Sequence, residues 1–480
     1  MSDAFRGVIS RISCALTAML VVVGCQSEYR SDSKKIVTAY TAGQFPEAAK
    51  LAADAAIDRN SDHRDKIVLC FDAGSTAATA GDTTGSIKWF EEAYEGVRPY
   101  LDAKADASAS EALITTAVNQ SMSLYRGTTC DRIWLDTMQT MNMLVSGKID
   151  EARIELRRAY EWQRDAAQRY GSEILAAQDA ATKSGESKTA SASGSVSGDP
   201  HFSNLDSMTG YASFVNPYTT WLFGVFLLSC GEGQADFDEA RSEFLRVGAL
   251  LGEAAQIQIA SAVVAAEARQ RGESLSPTTW VVLLDGLAAH KEEFRLDIPI
   301  PVGNVNYVSA AFPYLVETPS PRGACTAEAQ GISAPMFEAA NMDSMVGADF
   351  KARLPLIITQ ELISSATKAA ATYAARASAG SDNTAAALFQ IAGIVYQATS
   401  TSADTRSWHT MPKRILVAQI ATPSDGTVRI VSGSGTVAEA KVDPGATSIV
   451  FVTAPGIAAA TRVAKLTKYS TIIPPPVTIN

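Results

Sequence analysis

The chain has 480 residues, of which 46% are hydrophobic and 19% charged, and its formal net charge is −10. This length predicts roughly two to four domains, and the composition predicts a mostly globular chain. An acidic chain repels polyphosphate and no basic run interrupts this one, so the composition excludes nucleic acid as a partner.

The N-terminal region has the layout of a bacterial export leader. An apolar run of about a dozen residues, 12–23, follows Arg6 and Arg11, whereas a bilayer span needs about 20 residues. The run ends at Gly24-Cys25, and Val22-Val23-Gly24-Cys25 resembles the lipobox of bacterial lipoproteins.

That resemblance implies that 1–24 is a lipoprotein signal peptide and that the thiol of Cys25 carries a diacylglycerol after cleavage. Two or three acyl chains, palmitate among them, hold a protein on a bilayer where one holds it only weakly. Gln26 follows the cysteine, and the absence of aspartate there favours the outer membrane, facing the periplasm. A cysteine buried at the start of an ordinary helix is the alternative.

Signals for metal sites and catalysis are sparse. Four cysteines besides Cys14 and Cys25 lie far apart without CxxC spacing: Cys70, Cys130, Cys230 and Cys325. They are expected to be small buried side chains, although an exported chain also permits a disulfide. The four histidines form no HExxH, and the sequence has no Walker motif, no GxGxxG after a strand and no GxSxG. We therefore predict no metal, no cofactor and no catalytic residue.

A short pattern recurs along the first half of the chain. A turn is followed by a small residue at a fixed distance, and then by apolar residues at helical spacing. The small residues are Ala48, Ser86, Ala152 and Ala240, at intervals of 38, 66 and 88 residues. The pattern resembles the second half of a tetratricopeptide repeat, and it predicts interrupted helical hairpins. The predicted helix-packing residues are Gly43, Ala48, Gly81, Gly147, Ala152 and Ala240.

The predicted fold class is mainly α with β segments, in which degenerate tetratricopeptide-like hairpins are joined to a small antiparallel β module. A Ser-, Ala- and Gly-rich stretch near 183–200 predicts a solvated connector, with a functional lid as the alternative. After the signal peptide 1–24, the predicted regions are a helical region 25–182, a flexible linker 183–208, a second helical-hairpin region 209–275, a β-rich segment 276–335, a helical region 336–402 and a C-terminal β module 403–480.

One cluster between a predicted helix and a predicted strand combines an acid, a guanidinium, an indole and an imidazole: Asp404, Arg406, Trp408 and His409. In a functional interpretation, Arg406 and His409 bind an anion and Asp404 orients one of them. In a structural interpretation, Asp404 pairs with Arg406 and Trp408 fills a junction between helices and sheet. The structural interpretation is favoured.

Six motifs in order carry a wider resemblance: the lipobox, Tyr125-Arg126-Gly127, Glu151 to Arg158, Asn216-Pro217-Tyr218, Leu283 to Gly286, and Asp404 to Trp408 followed by a proline. As a set they look like a family of largely uncharacterised bacterial envelope lipoproteins with tetratricopeptide-like helices. The genes of such proteins often lie beside genes for lipoproteins that stimulate peptidoglycan synthases, which implies a role in cell-wall assembly. This chain departs from the pattern at Cys130-Asp131, where an aromatic residue and a glutamate are expected.

The leading hypothesis is a lipid-anchored envelope scaffold that holds another envelope protein and contacts the membrane through its anchor. The helix faces near 86–94 and 151–160 are expected to contribute to its binding surface. An enzyme or ligand-binding protein that acts on cell-wall glycan or peptide through the 404–409 cluster is the alternative. A purely architectural envelope component is a third possibility.

Overall fold

The computed structural model describes residues 28–98, 123–164, 166, 196–208, 215–298, 308–378 and 402–466. The helices are α1 (28–41), α2 (Phe45–Ile57), α3 (Lys66–Thr79), α4 (Thr83–Val97), α5 (Thr129–Val145), α6 (149–164), α7 (Pro217–Cys230), α8 (Gln234–Leu251), α9 (Glu253–Gln270) and α10 (Met342–Ser378). The strands are β1 (Thr278–Asp285), β2 (His290–Ile298), β3 (Val308–Val316), β4 (Cys325–Ala329), β5 (Ile332–Pro335), β6 (Phe337–Asn341), β7 (Arg414–Ala421), β8 (Thr427–Ser432), β9 (Gly435–Lys441), β10 (Ser448–Ala454) and β11 (Ala460–Lys465).

Helices α1 to α8 form consecutive pairs joined by short turns, and each pair is a helical hairpin. The turns of the first three pairs contain Gly43, Gly81 and Gly147, with φ values of 77°, 89° and 71°. A side chain at this left-handed φ is strained, so glycine suits these positions. We call α1, α3, α5 and α7 the first helices and α2, α4, α6 and α8 the second helices.

Small residues at the start of each second helix let the two helices of a pair approach closely. All four are fully buried, at 0% exposure: Ala48, Ser86, Ala152 and Ala240. Four residues further on, Phe90 and Phe244 pack against Gly74 and Gly224 of the preceding first helices, where a Cβ atom would lie 2.6 Å and 3.0 Å from the rings. The hairpins therefore depend on a small-to-large match across each pair.

Side-chain contacts join consecutive second helices. Arg153 of α6 makes two hydrogen bonds to Asp236 of α8, at 3.1 Å and 2.9 Å. Arg158 of α6 lies over the ring of Tyr94 of α4, at 4.3 Å from its centroid. The motif Glu151 to Arg158 thus supplies the links on both sides of α6.

Of the first helices, α3, α5 and α7 form a middle layer that is covered on both sides, whereas α1 keeps one exposed side. Every residue of α3 is buried, and so is nearly every residue of α5 and α7. An apolar surface all round a helix is typical of a helix enclosed by other elements. Here the second helices cover one side, and a sheet covers the other.

That sheet has the strand order β11-β10-β1-β7-β6. Strand β1 runs parallel to β10 and antiparallel to β7, so it occupies the centre. Its residues alternate between two cores: Trp280, Val282 and Leu284 face the helices, whereas Val281 and Leu283 face a second sheet. Burial on both faces explains the unbroken apolar run in β1.

The second sheet has the order β5-β4-β8-β9 and packs on the outer face of the first. A separate hairpin of β2 and β3, paired at Phe294 and Phe312, forms a smaller core with α10 and residues 196–208. The molecule is therefore a mixed α/β protein in which helices and sheets share one main core. None of the helices in the described residues is long and apolar enough to cross a bilayer.

The C-terminal strands do not form the predicted separate module 403–480. Strands β7, β10 and β11 complete a sheet around β1, and β8 and β9 pair with β4 from the segment 276–335. Sequence periodicity identifies strands but carries no information about partners more than 100 residues away. In the predicted helical region 336–402, residues 337–341 are strand β6.

The predicted flexible linker 183–208 is packed in the part that the structure describes. Val196, Phe202, Leu205 and Met208 are buried against the β2–β3 hairpin and α10. These scattered apolar residues overcome the polar composition of the segment because they share one core. Residues 183–195 lie outside the described residues. The four cysteines in the described part of the chain are buried free thiols: Cys70, Cys130, Cys230 and Cys325.

Candidate functional site

The loop 402–413 passes between the helical hairpins and the β2–β3 hairpin, and it brings the cluster 404–409 into the protein interior. Arg406 is 4% exposed and Trp408 is 5% exposed. We call this loop together with the side chains that contact it the junction. The junction is where α1, α3, α5 and β2 approach one another.

Arg406 and Asp404 form a two-pronged ion pair. Arg406 Nε donates to Asp404 Oδ1 at 2.8 Å, and Nη2 donates to Oδ2 at 3.0 Å. Arg406 Nη1 donates to the carbonyl oxygens of Arg64 and Ser123, at 2.8 Å and 2.7 Å. Burial raises the pKa of Asp404, but Arg406 and Lys291 outweigh it and hold that pKa well below its usual range. All three guanidinium nitrogens are therefore used within the protein.

Trp408 packs into α3 and α4. Its indole stacks on Phe71, with ring centroids 4.5 Å apart and planes inclined by 14°. Its Nε1 donates to Ser75 Oγ at 2.9 Å and to Thr410 Oγ1 at 3.1 Å. The aromatic surface and the polar end of the indole are both satisfied, as a buried tryptophan requires.

A carboxyl group of α3 accepts hydrogen bonds from the loop just after Trp408. The backbone N–H and the hydroxyl of Thr410 donate to Asp72 Oδ1, at 3.0 Å and 2.8 Å. Burial raises the pKa of Asp72 to about 7, against the two hydrogen bonds from Thr410, which lower it. Asp72 therefore titrates near neutral pH at the centre of the junction.

His409 does not provide a positive charge. Burial, together with the nearby His290 and Lys291, lowers its pKa to about 3. Its ring lies 5.6 Å from His290 and 6.1 Å from Tyr29, measured between centroids. The imidazole is therefore neutral at physiological pH and packs among other rings.

The Tyr125-Arg126-Gly127 motif forms the turn that opens α5. Gly127 has a φ of 68°, and Thr128 and Asp131 then form a reciprocal capping box at the helix start. Asp131 Oδ2 also accepts a hydrogen bond of 2.6 Å from the Tyr125 hydroxyl. Asp131 thus caps α5 and holds Tyr125 at the start of the helix.

Lys291 is the half-buried cation of the junction. Burial lowers the pKa of its ammonium group, while Asp404 raises it and Arg406 lowers it further. Its Nζ lies 5.9 Å from the ring centroid of Tyr125, and the Arg406 guanidinium lies 5.3 Å from the same centroid. The junction therefore stacks two cations on one aromatic ring, a stabilising contact for both.

A second buried ion cluster involves the motif Leu283 to Gly286. Asp285, at 0% exposure, accepts from Arg322 Nη1 at 2.7 Å and from Arg414 Nε at 2.9 Å. Arg322 Nη2 also donates to the carbonyl oxygens of Gly456 and Ile457. This cluster ties the end of β1 to β7 and to the β10–β11 loop.

Sequence reasoning did not identify the partners of the junction, which come from distant parts of the chain: Tyr29, Asp65, Asp72 and Lys291. Asp72 carried a signal, because it is the sole carboxylate in the apolar stretch that forms α3. A lone acid on an enclosed helix indicates a buried polar contact. The others had no local signal.

A small internal cavity lies beside the junction, between the helices and the first sheet, and has room for about one water molecule. Among the described residues, no group of three or more His, Cys, Asp or Glu side chains is placed to hold a metal ion. The predicted lipidation site Cys25 lies outside the described residues, which begin three residues later at Glu28.

The chain matches no protein-family model, and searches of curated proteins and of solved structures found no similar protein. In the junction, the guanidinium nitrogens of Arg406 donate to protein oxygens and His409 is neutral. This arrangement holds secondary-structure elements together.

Proposed function

We propose that the protein is a lipid-anchored scaffold of a bacterial cell envelope that binds another envelope protein through tetratricopeptide-like helical hairpins. Two features support this proposal. The sequence ending at Cys25 has the lipobox pattern, and α1 to α8 pair into hairpins with fully buried small residues at each second helix. Arrays of such hairpins present extended surfaces to other proteins.

The outward face of the second helices is the surface we assign to the partner. In tetratricopeptide-like arrays a groove lined by first helices is an obvious alternative, but here the first sheet covers the first helices. The second helices and α9 carry exposed aliphatic side chains, a feature of interaction surfaces. These side chains are Ile57, Ile154, Leu245, Ile257 and Val264, with exposures of 65%, 58%, 46%, 69% and 59%.

Ile154 and Leu245 lie on neighbouring helices, and this arrangement is the main support for the proposed binding surface. Next to Ile154, Arg153 binds Asp236 of α8; next to Leu245, Arg246 lies 5.4 Å from the ring centroid of Tyr160 of α6. The two aliphatic side chains therefore belong to adjacent helices of one layer. A partner that contacts both would bury apolar area at the centre of its interface, with the charged pairs Arg153–Asp236 and Arg157–Glu239 beside it.

Crosslinking in the native host tests the scaffold. The full-length, acylated protein is crosslinked in intact cells and purified, and captured proteins are identified by mass spectrometry. The double substitution Ile154→Gln and Leu245→Gln is expected to reduce recovery of a consistent envelope partner at least fivefold. Ile332→Thr, at a 56% exposed position of β5, serves as the matched control and should leave recovery unchanged.

Two results would contradict the scaffold. One is the absence of any consistent partner in repeated experiments; the other is equal loss of the partner in the control variant. Because the family that the sequence resembles implies a role in cell-wall assembly, we propose that the partner acts in peptidoglycan synthesis. Recovery of a partner from another envelope process would overturn that part of the proposal.

A further inference from the structure

The first turn of α1 is fixed to the junction. Tyr29 is 2% exposed, and its hydroxyl donates to the carbonyl oxygen of Ser407 and accepts from the N–H of Ser407, both at 3.1 Å. Its neighbour Arg30 donates to Thr405 Oγ1 at 3.3 Å and to Glu293 at 3.0 Å. The start of the helix therefore cannot move without breaking contacts to both the loop and β2.

Little chain separates this fixed point from the proposed anchor. Gln26, Ser27 and Glu28 are the residues between Cys25 and Tyr29. Consecutive Cα atoms are at most about 3.8 Å apart, so four steps reach no further than about 15 Å. The acyl chains at Cys25 would hold Tyr29 within about that distance of the lipid headgroups, because the lipidated residue itself lies at the membrane surface.

We propose that the protein lies directly on the membrane, with the surface around the first turn of α1 in contact with phospholipid headgroups. We define this anchor face by three residues: Arg30, Glu293 and Arg295. The inference rests on the proposed acylation of Cys25 and deepens it, because it assigns an orientation to the anchored protein.

The charges of the anchor face suit a zwitterionic headgroup, which carries both a phosphate and an ammonium. Glu293 is 11% exposed and sits between Arg30 and Arg295, each 3.0 Å away and each 47% exposed. The arginines therefore keep part of their surface for phosphate oxygens. The exposed acid Glu28 lies in the same turn of α1 as Arg30, where it suits the ammonium groups.

The far end of α1 provides an internal reference. Helix α1 covers 28–41, and a helix of 14 residues is about 21 Å long. The exposed Ala42 lies in the turn at that far end. An anchored protein with a fixed orientation keeps Ala42 further from the headgroups than Glu292, the exposed neighbour of Glu293 on β2, whereas free swinging about Cys25 reduces the difference between the two positions.

Fluorescence quenching in vesicles tests the orientation. The full-length acylated protein is reconstituted in vesicles of zwitterionic phospholipid that contain a lipid with a nitroxide on its headgroup. A fluorophore is attached to Glu292→Cys or to Ala42→Cys; the four described native thiols are buried, which favours labelling at the introduced cysteine. We expect at least threefold stronger quenching at position 292 than at position 42.

Equal quenching at the two positions would overturn the inference. Failure of the protein to float with the vesicles would instead overturn the proposed acylation, so the two failures are distinguishable. The double substitution Arg30→Gln and Arg295→Gln is expected to bring the ratio towards one, with the melting temperature as the check on folding. The control Arg429→Gln, in an exposed pair with Glu439 on the β8–β9 hairpin, should leave the ratio unchanged.

Discussion

The two sides of the helical layer differ in what they contact. On the inner side, the first helices are buried against the first sheet and the loop 402–413, and polar side chains there bond to protein atoms across more than 300 residues. On the outer side, the second helices carry exposed charges and aliphatic side chains. The inner side holds the chain together, whereas the outer side is available to a partner.

This difference explains why a cluster rich in chemical groups need not be a site of chemistry. Asp404, Arg406 and His409 look reactive in the sequence, but Asp404 and Arg406 bond to each other and Arg406 also to backbone oxygens. The lowered pKa of His409 keeps its ring neutral, and the ring packs near other rings. A buried charge that is fully hydrogen-bonded secures a contact between distant segments. Five substitutions test the difference between the two sides, in order of decreasing effect.

The largest effect is expected for Arg406→Met. Loss of the guanidinium leaves Asp404 buried with its main partner removed and takes one donor each from the carbonyl oxygens of Arg64 and Ser123. Breaking a buried pair from one side destabilises a protein by about 3–5 kcal/mol. Urea unfolding of the variant should show this loss, while Arg429→Met, in an exposed pair, should leave the free energy of unfolding nearly unchanged.

Loss of a cell-wall activity in Arg406→Met with an unchanged free energy of unfolding would reverse this interpretation. It would favour the alternative hypothesis of an enzyme or ligand-binding protein that uses the 404–409 cluster.

Asp72→Asn should change the pH dependence of stability. The pKa of Asp72 is raised from 3.8 to about 7 in the folded protein. The stability that its protonated carboxyl contributes is therefore fully present below pH 3.8 and is lost as pH rises towards 7. Asparagine stays neutral and still accepts from Thr410 through its Oδ1. Between pH 5 and pH 8 the variant should therefore lose about 2–3 kcal/mol less stability than the native chain.

Urea unfolding at pH 5 and pH 8 measures this difference. Parallel pH profiles for the two proteins would show that Asp72 is ionised in the fold throughout that range. Burial also raises the pKa of Glu243 to about 7. Glu243 is present in both proteins, so it contributes the same pH dependence to the free energy of unfolding of each.

Ser86→Ala tests a polar exception within the repeat pattern. Ser86 donates to the carbonyl oxygen of Gly74 at 2.7 Å and accepts from Asn142 at 2.8 Å, and Asn142 in turn accepts from Arg462 at 2.7 Å. Alanine would match the other three hairpins but leave these buried groups with fewer partners. We expect a loss of about 1–2 kcal/mol in urea unfolding.

Thr84→Ala, at an exposed position of the same helix, is the matched control for Ser86→Ala and should stay within about 0.5 kcal/mol. A neutral or stabilising effect of Ser86→Ala would mean that packing alone sets this position, and that the hydrogen-bond chain to Arg462 contributes nothing measurable.

The helical hairpins are the part of the fold that sequence can predict, because their signals are local. A glycine such as Gly43 or Gly147 and a small residue a few positions later lie within one or two helical turns of the contacts that they make. The partner of Ser86 was not visible in the same way, since Asn142 lies 56 residues further along the chain.

The sheets and the junction depend on non-local contacts. Residue 281 of β1 pairs with residue 450 of β10, and the Tyr29 hydroxyl binds the backbone of Ser407. Because the partners are so far apart in the sequence, local periodicity does not predict either contact. The pairing of Asp404 with Arg406 is two residues apart and could be anticipated, whereas their enclosure could not. Similarly, the polar composition of the predicted linker 183–208 concealed the apolar residues Val196 and Phe202, which belong to the small core.

The smallest effect on stability is expected on the outer side. Ile154→Gln and Leu245→Gln replace side chains that are 58% and 46% exposed, and glutamine has a similar helix propensity. Each change should alter the free energy of unfolding by less than about 1 kcal/mol. In the crosslinking experiment the same variants should lose the partner, so stability and binding would separate. If either variant were destabilised as much as Ser86→Ala, the replaced side chain would contribute to the stability of the fold. The distinction between an inner side that stabilises the fold and an outer side that does not would then be wrong for that helix.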